Sequence, residues 1–323
     1  MLSRHDIEAA RTVVRAHFPA TPLILAPRLS ETLKCEVWLK LDTVTPIRTF
    51  KIRGALVKMH ALEREGHEGG VITASAGNHG LAVAWAARAH RRHAVVCLPE
   101  HANPQKAALI QAQGAEIQRR GSDFFDAYQL AKQLSAERGL AIVHPFDDLA
   151  VIAGQATLGL EVLEAGVDCD ALLVGVGGGG LIAGIASTFA AWGRSIRVHG
   201  AQPRGADSMV RSLERGEVTA LEKVDTIADG LNARTAGELA FPLIRDHTAG
   251  VTRVTDEELL STGRLLLDKE RMVAEPAGLA GLALLVAMGD HRPKRPVVVL
   301  SGANVSDAMF GQMFRGLPQV LDS

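Results

Sequence analysis

Short runs of β-branched and aliphatic residues alternate along this chain with longer amphipathic runs, after a less regular N-terminal stretch. Ser3 followed by Asp6 has the form of a capping box, and Ile7, Ala10 and Val14 recur at helical spacing, so a first helix is expected to end before Pro19. Extended pieces follow Thr21-Pro22-Leu23, and residues 36–42 read as a strand. A first series then predicts strands at 71–75, 93–98, 115–119 and 141–144, separated by helices at 78–90, 104–113 and 123–138. A second series predicts a helix to about 165, a strand at 171–176, a helix to 192, strands at 196–201 and 251–254, helices at 256–271 and 276–288, and a strand at 297–300. Strands alternating with helices of this length imply right-handed βαβ units and parallel sheets. Continuous Val, Leu and Ala runs mark strands buried on both faces. The expected fold class is therefore α/β: two doubly wound, mostly parallel-sheet units with the site between them.

Composition narrows the partners. The chain has 323 residues, 47% hydrophobic and 22% charged, which suffices for a sizeable core. Its net charge of −1 gives no global field for nucleic acid or an anionic membrane, so a small-molecule partner is expected. Cys35, Cys97 and Cys169 are scattered, with no Cys-x-x-Cys pair, which argues against a disulfide framework or structural zinc and suggests a reducing compartment. The first residues contain no apolar signal core and no run is long enough to span a bilayer, so a cytoplasmic location is expected.

Four stretches carry candidate chemistry. Lys51 follows a Pro46-containing turn and opens a helical-looking run, so its amine would sit at a helix N-terminus among apolar neighbours, conditions that favour the neutral, nucleophilic form. Taken alone, the same stretch also describes an exposed first-turn lysine. Gly175 to Gly180 follows a buried strand and opens a helix, where backbone N–H groups can converge on an anion. Gly175, Gly177 and Gly180 satisfy Gly-x-Gly-x-x-Gly, but the next strand ends in Gln202-Pro203 where a ribose-binding carboxylate would be needed, so a single phosphate fits better than a dinucleotide. Ser75-Ala76-Gly77-Asn78-His79 lies between a strand and a helix and suits a carboxylate, and Ser301-Gly302-Ala303-Asn304 ends the last buried strand. A lysine with a one-phosphate cradle points to pyridoxal 5′-phosphate.

With these residues in order, the sequence resembles the serine/threonine dehydratases of the fold-type II pyridoxal-phosphate enzymes, with the tryptophan synthase β-like fold, over essentially the whole chain. Thr49-Phe50-Lys51-Ile52-Arg53-Gly54-Ala55, Ser75 to Gly80, Gly177 to Leu181 and Ser301 to Asn304 carry the resemblance. It implies that Lys51 is catalytic and holds the cofactor as a Schiff base, and that Phe50 packs on the pyridine ring. Asn78 would bond the cofactor's phenolic oxygen, Gly177, Gly178, Gly179, Gly180 and Leu181 its phosphate, and Ser301 would face the pyridine nitrogen; Glu275 would lie beside the site. Ser75, Ala76, Gly77, Asn78 and His79 would hold the substrate carboxylate.

The implied reaction is removal of the Cα proton by Lys51 and loss of the β-hydroxyl, with the cofactor phosphate as proton donor, giving a 2-oxo acid and ammonia from a 3-hydroxy amino acid such as L-threonine or L-serine. Racemases of the family carry Ser where this chain has Ala76, so dehydration outranks racemisation, with β-replacement a further alternative within the fold. A non-catalytic amino-acid-binding protein is disfavoured by the intact Lys51. Metal-binding members carry carboxylates where this chain has Gln202, Ala206 and Ser208, so no metal is expected. Pro46-Ile47-Arg48 and Asn232-Ala233-Arg234 depart from the family pattern and leave the substrate side chain open. The resemblance also implies a homodimer, and a large cofactor domain (1–41 with 146–323) beside a small one (42–145).

Overall fold

The computed structural model describes residues 2–122 and 124–315. In chain order the elements are α1 (Arg4–Arg15), β1 (Leu23–Leu25), α2 (Pro27–Leu33), β2 (Trp38–Leu41), α3 (Lys51–Arg64), β3 (Val71–Ala74), α4 (Asn78–Ala89), β4 (Ala94–Leu98), α5 (Pro104–Gln111), β5 (Glu116–Arg119), α6 (Phe124–Arg138) and β6 (Ala141–Ile142). They continue with α7 (Leu149–Glu164), β7 (Ala171–Gly175), α8 (Gly180–Ala191), β8 (Arg197–Pro203), α9 (Ser208–Arg215), α10 (Ala240–His247), β9 (Val251–Val254), α11 (Asp256–Glu270), α12 (Pro276–Ala287), β10 (Pro296–Leu300) and α13 (Asp307–Phe314). The expected helix start at Asp123 lies outside the described residues.

Two sheets form. The larger has the order β1-β2-β10-β7-β8-β9 and the smaller β5-β4-β3-β6. Every pairing is parallel except that of β1 with β2, an antiparallel edge the sequence pattern did not mark. In β10, Val297 and Val299 join one apolar cluster while Val298 and Leu300 join another. Alternate side chains point to opposite faces and both faces are covered, which is why the strand reads as an unbroken apolar run. Helix α12 covers one face of the large sheet with α11, and α7 and α8 pack together on the other.

The N-terminal helix starts with the expected capping box, Ser3 to Asp6. Four helices, α2, α9, α10 and α13, were not expected. α2 has seven residues, too few for periodicity to show, and ends at Lys34 in the left-handed region. α9 and α10 have eight residues each, and α10 carries Pro242 in its first turn, where no intrahelical N–H bond is lost.

Behind α3 lies a buried ionic group. Arg53, fully buried, donates to both oxygens of Asp42 (2.7 and 2.9 Å) and both of Glu161 (2.9 Å each). Lys40 Nζ donates to Glu161 at 2.6 Å and to Thr21. Burial alone would push Glu161 up, but Arg53 and Lys40 hold it down at about 2. Two cations facing two carboxylates, each with further hydrogen bonds, meet the condition under which buried charge is tolerated. The group ties α3 to β2 and α7.

Candidate functional site

Lys51 is the first residue of α3, at the expected loop-to-helix junction. Its approach, residues 47–50, is stitched to the end of β10: Phe50 N donates to the Ser301 carbonyl (2.9 Å), Ala303 N to that of Arg48 (2.9 Å), Asn304 Nδ2 to that of Ile47 (2.9 Å), and Thr49 bridges Gly302. Two sequence-predicted segments are thereby brought side by side. Arg48 takes φ +58, a left-handed turn that lets the chain reverse into α3.

The Lys51 amine is half-buried, lies 5.1 Å from the Phe50 ring centroid and donates to the Pro145 carbonyl at 2.8 Å. Burial lowers it to about 8, against the charge of Glu275, which raises it. Glu275 is itself pushed up to about 7 by burial, opposed by a 2.6 Å hydrogen bond from Asn78 and by the charge of Lys106. Asn304 Nδ2 donates to Asn78 Oδ1 at 2.8 Å. Asn78 is thus oriented at both ends, and an amide retains a second N–H for another acceptor.

The glycine turn joins β7 to α8. Gly179, at φ +101, occupies the N-cap position with no side-chain cap. Val176 N and Ala183 N donate within the fold, but among the described residues no acceptor faces the N–H groups of Gly177, Gly178, Gly179, Gly180, Leu181 and Ile182. Unfilled donors at the positive end of a helix suit a phosphate. The glycines also answer a packing demand. A Cβ on Gly178 would collide with the Phe146 ring, and one on Gly180 would lie 2.8 Å from the Phe146 carbonyl oxygen.

Helix α4 also begins after a glycine, Gly77, with no side-chain cap, and the N–H groups of Asn78, His79 and Gly80 have no acceptor among the described residues. Ser75, Ala76 and Gly77 are half-buried at the same strand end. His79 stands in the first turn of α4, so its N–H belongs to this group. Its ring is buried, with Nε2 2.9 Å from the Val143 carbonyl, and desolvation drives it down to about 3, so it is a neutral donor to the backbone. Ser301 is buried, and the buried Thr49 Oγ1 nearby has no hydrogen-bond partner among the described residues.

Sequence reading missed the connection after β6. Pro145 takes the Lys51 amine, Phe146 lies against the glycine turn, and Asp147 accepts from Glu238 N (3.0 Å) and Leu239 N (2.8 Å). His144 Nδ1 accepts from Asp147 N at 2.8 Å, leaving its proton on Nε2. The available signal was position, at the carboxyl end of a parallel strand. Gln202, considered above as a metal position, instead donates to the Gly177 carbonyl (3.2 Å) and accepts from Met209 N (3.0 Å) and Val210 N (3.1 Å).

A family profile described as pyridoxal-phosphate dependent enzyme matches residues 14–302. The chain belongs to that family. Its cofactor is therefore pyridoxal 5′-phosphate, and the residues present fit it: a half-buried amine of lowered basicity, an uncapped glycine turn at a helix N-terminus, and an unpartnered buried hydroxyl on Thr49 beside the end of β10. The enzyme is 39% identical to the L-threonine ammonia-lyase of Geobacter sulfurreducens over 94% of this chain and 76% of that protein. Among solved structures it resembles a threonine deaminase from T.th., with a TM-score of 0.89 and 38% identity over 94% of this chain and 99% of that one. Maize serine racemase gives a TM-score of 0.90 at 30% identity, covering 96% of each chain. The fold is accordingly fold-type II α/β with mostly parallel sheets. Among the described residues no helix is long and apolar enough to cross a membrane.

Proposed function

We propose that the enzyme is an ammonia-lyase that dehydrates a 3-hydroxy amino acid such as L-threonine or L-serine to a 2-oxo acid and ammonia. The observation that carries this reading is the Lys51 amine, lowered to about 8 by burial at the start of α3. An amine of that basicity accepts a Cα proton near neutral pH and can return it. Bound pyridoxal phosphate supplies the electron sink that makes the Cα–H bond breakable.

Around that step each residue has a task. The N–H groups of Gly177, Gly178, Gly179, Gly180 and Leu181 hold the phosphate, Phe50 lines the ring site, and Ser301 offers a neutral hydroxyl at the ring nitrogen. Asn78 fixes the ring's oxygen side, and Glu275 positions Asn78. The loop of Ser75, Ala76 and Gly77, with the N–H groups of Asn78 and His79, holds the substrate carboxylate; the His79 ring supports the loop from beneath.

Racemisation is the second reading, favoured by the likeness to maize serine racemase. It needs an acid/base group on the other face of the cofactor, and Ala76 has no titratable group to serve. We take residues 1–41 with 146–323 as the large domain and 42–145 as the small one, with α3 at the junction, and propose a cytoplasmic homodimer by analogy with the resembled family.

The test is a panel of 3-hydroxy amino acids assayed for ammonia and 2-oxo acid alongside D-amino acid. Release of ammonia from threonine or serine, lost in Lys51→Ala together with the visible absorption of the loaded enzyme, is the expected result. D-amino acid without ammonia would establish racemisation instead.

A further inference from the structure

Two neighbouring residues of α5 reach across the cleft from the small-sheet side to the large-sheet side. Lys106 Nζ donates to Asp229 Oδ2 at 2.6 Å, and Gln105 Nε2 donates to Asp307 Oδ2 at 3.0 Å. The apolar side of α5 points the other way: Ala107 and Ile110 are buried, and Ile110 lies beside Gly80 of α4. The helix packs on α4 and β5, elements of its own side. Its tie across the cleft is therefore made of polar side-chain bonds, a kind that breaks and re-forms readily, and not of buried apolar surface.

The Asp229 anchor borders the site. Asp229 directly precedes Gly230 and Leu231, and a Cβ on Gly177 would lie 3.2 Å from Leu231 Cα. Lys106 lines the cavity at the cleft mouth together with Glu275 and Asn304, the two residues bonded to Asn78. The start of α5 is stiff: Asn103 caps it by accepting from Gln105 N and Lys106 N, and Pro104 stands at its first position. Gln105 and Lys106 are consequently carried as one rigid turn.

We propose that Gln105 and Lys106 form a two-point clasp that closes α5 over the bound amino acid, with Lys106 a positioning residue for the closed cleft. The proposal rests on the ammonia-lyase reading for its substrate alone. Asp229 is largely exposed, its side chain 72% accessible against 24% for Lys106, so salt screens the pair.

Steady-state kinetics with L-threonine, measured from low salt to ~0.5 M sodium chloride, give the first test. The KM of the native enzyme should rise with salt at nearly constant kcat. Lys106→Met should raise the low-salt KM about two- to five-fold and remove the salt dependence. In a double-mutant cycle with Asp229→Asn the two effects should be strongly non-additive, and the charge-swapped Lys106→Asp/Asp229→Lys enzyme should recover KM. Amide hydrogen exchange on the holoenzyme without substrate gives the second test: either single variant should speed exchange in α5 and at residues 229–231 and leave β3 and β4 unchanged. Additive effects in the cycle, a salt-independent native KM, or unaltered exchange in α5 would each overturn the clasp. An enzyme that turns over no 3-hydroxy amino acid would defeat the lyase reading instead, and the exchange experiment would still decide the clasp.

Discussion

Gly54 and Gly154 meet where α3 crosses α7: a Cβ on Gly154 would stand 2.5 Å from Gly54 Cα and 2.6 Å from the Arg53 carbonyl oxygen. Neither neighbour is a flexible side chain, so the two helices would have to separate. Gly154→Ala is expected to cost about 3 kcal/mol, the upper part of the range for overpacking, read as a lower urea midpoint at unchanged m-value. Because Lys51 begins α3, turnover should fall as well. A midpoint shift worth less than about 0.5 kcal/mol would show that the crossing yields without strain.

Titration of Lys51 should govern how the cofactor-free enzyme reacquires its cofactor. The neutral amine is the reactive form, so the capture rate, followed by the growth of visible absorption, should rise with pH through about 8. Glu275 holds the amine's basicity up, and Glu275→Gln should therefore move the midpoint lower. A midpoint near 10.5, the ordinary lysine value, would mean that burial does not tune this amine.

His79 makes stability depend on acid. Folded, it stays neutral down to about 3, whereas in the unfolded chain it protonates near 6.5. Below 6.5 the unfolded state binds the extra proton, so stability falls as pH drops from 6.5 towards 3, at no more than about 1.4 kcal/mol per pH unit for one group. His79→Gln keeps a donor for the Val143 carbonyl and lacks the titration. Urea unfolding at several pH values between neutral and 4 should give a shallower acid slope for the variant; parallel slopes would contradict the assignment.

Phe146 and Gly178 should be coupled in cofactor binding. Gly178→Ala forces its methyl into the Phe146 ring and shifts the turn that offers the phosphate-binding N–H groups. Cofactor affinity, measured by titrating the cofactor-free protein, is expected to fall at least about ten-fold, equivalent to about 1.4 kcal/mol. Adding Phe146→Ala makes room for the methyl and should recover most of that loss. Native affinity in Gly178→Ala alone would show that the turn does not hold the phosphate.

Residues whose role follows from local chemistry were legible in the sequence. Lys51 after its turn, the glycine run after a buried strand and the capping box at Ser3 each combine residue type with immediate context. What escaped depends on partners distant in the chain. Pro145 contributes only a carbonyl, and nothing in its identity says that Lys51 will find it. Lys106 becomes notable only when α5 is placed opposite Asp229. His79 belongs to the carboxylate loop by its place at the start of α4, and only its burial against Val143 shows that its ring is a neutral support. Nothing in the glycine run itself says that Phe146 packs on the phosphate turn.

The stitching of residues 47–50 to residues 301–304 bears on how the enzyme comes into being. Asn304 and Ile47, bonded to each other, are 257 positions apart. During synthesis Lys51 emerges well before the strand end that fixes its backbone. A nascent chain can build the small sheet, whose strands all lie between Val71 and Ile142, but it cannot complete the lysine site. Contacts of such long separation form late and slowly. Cofactor capture would then mark completion of the fold, and truncated or stalled chains would leave the cell's pool of pyridoxal phosphate untouched.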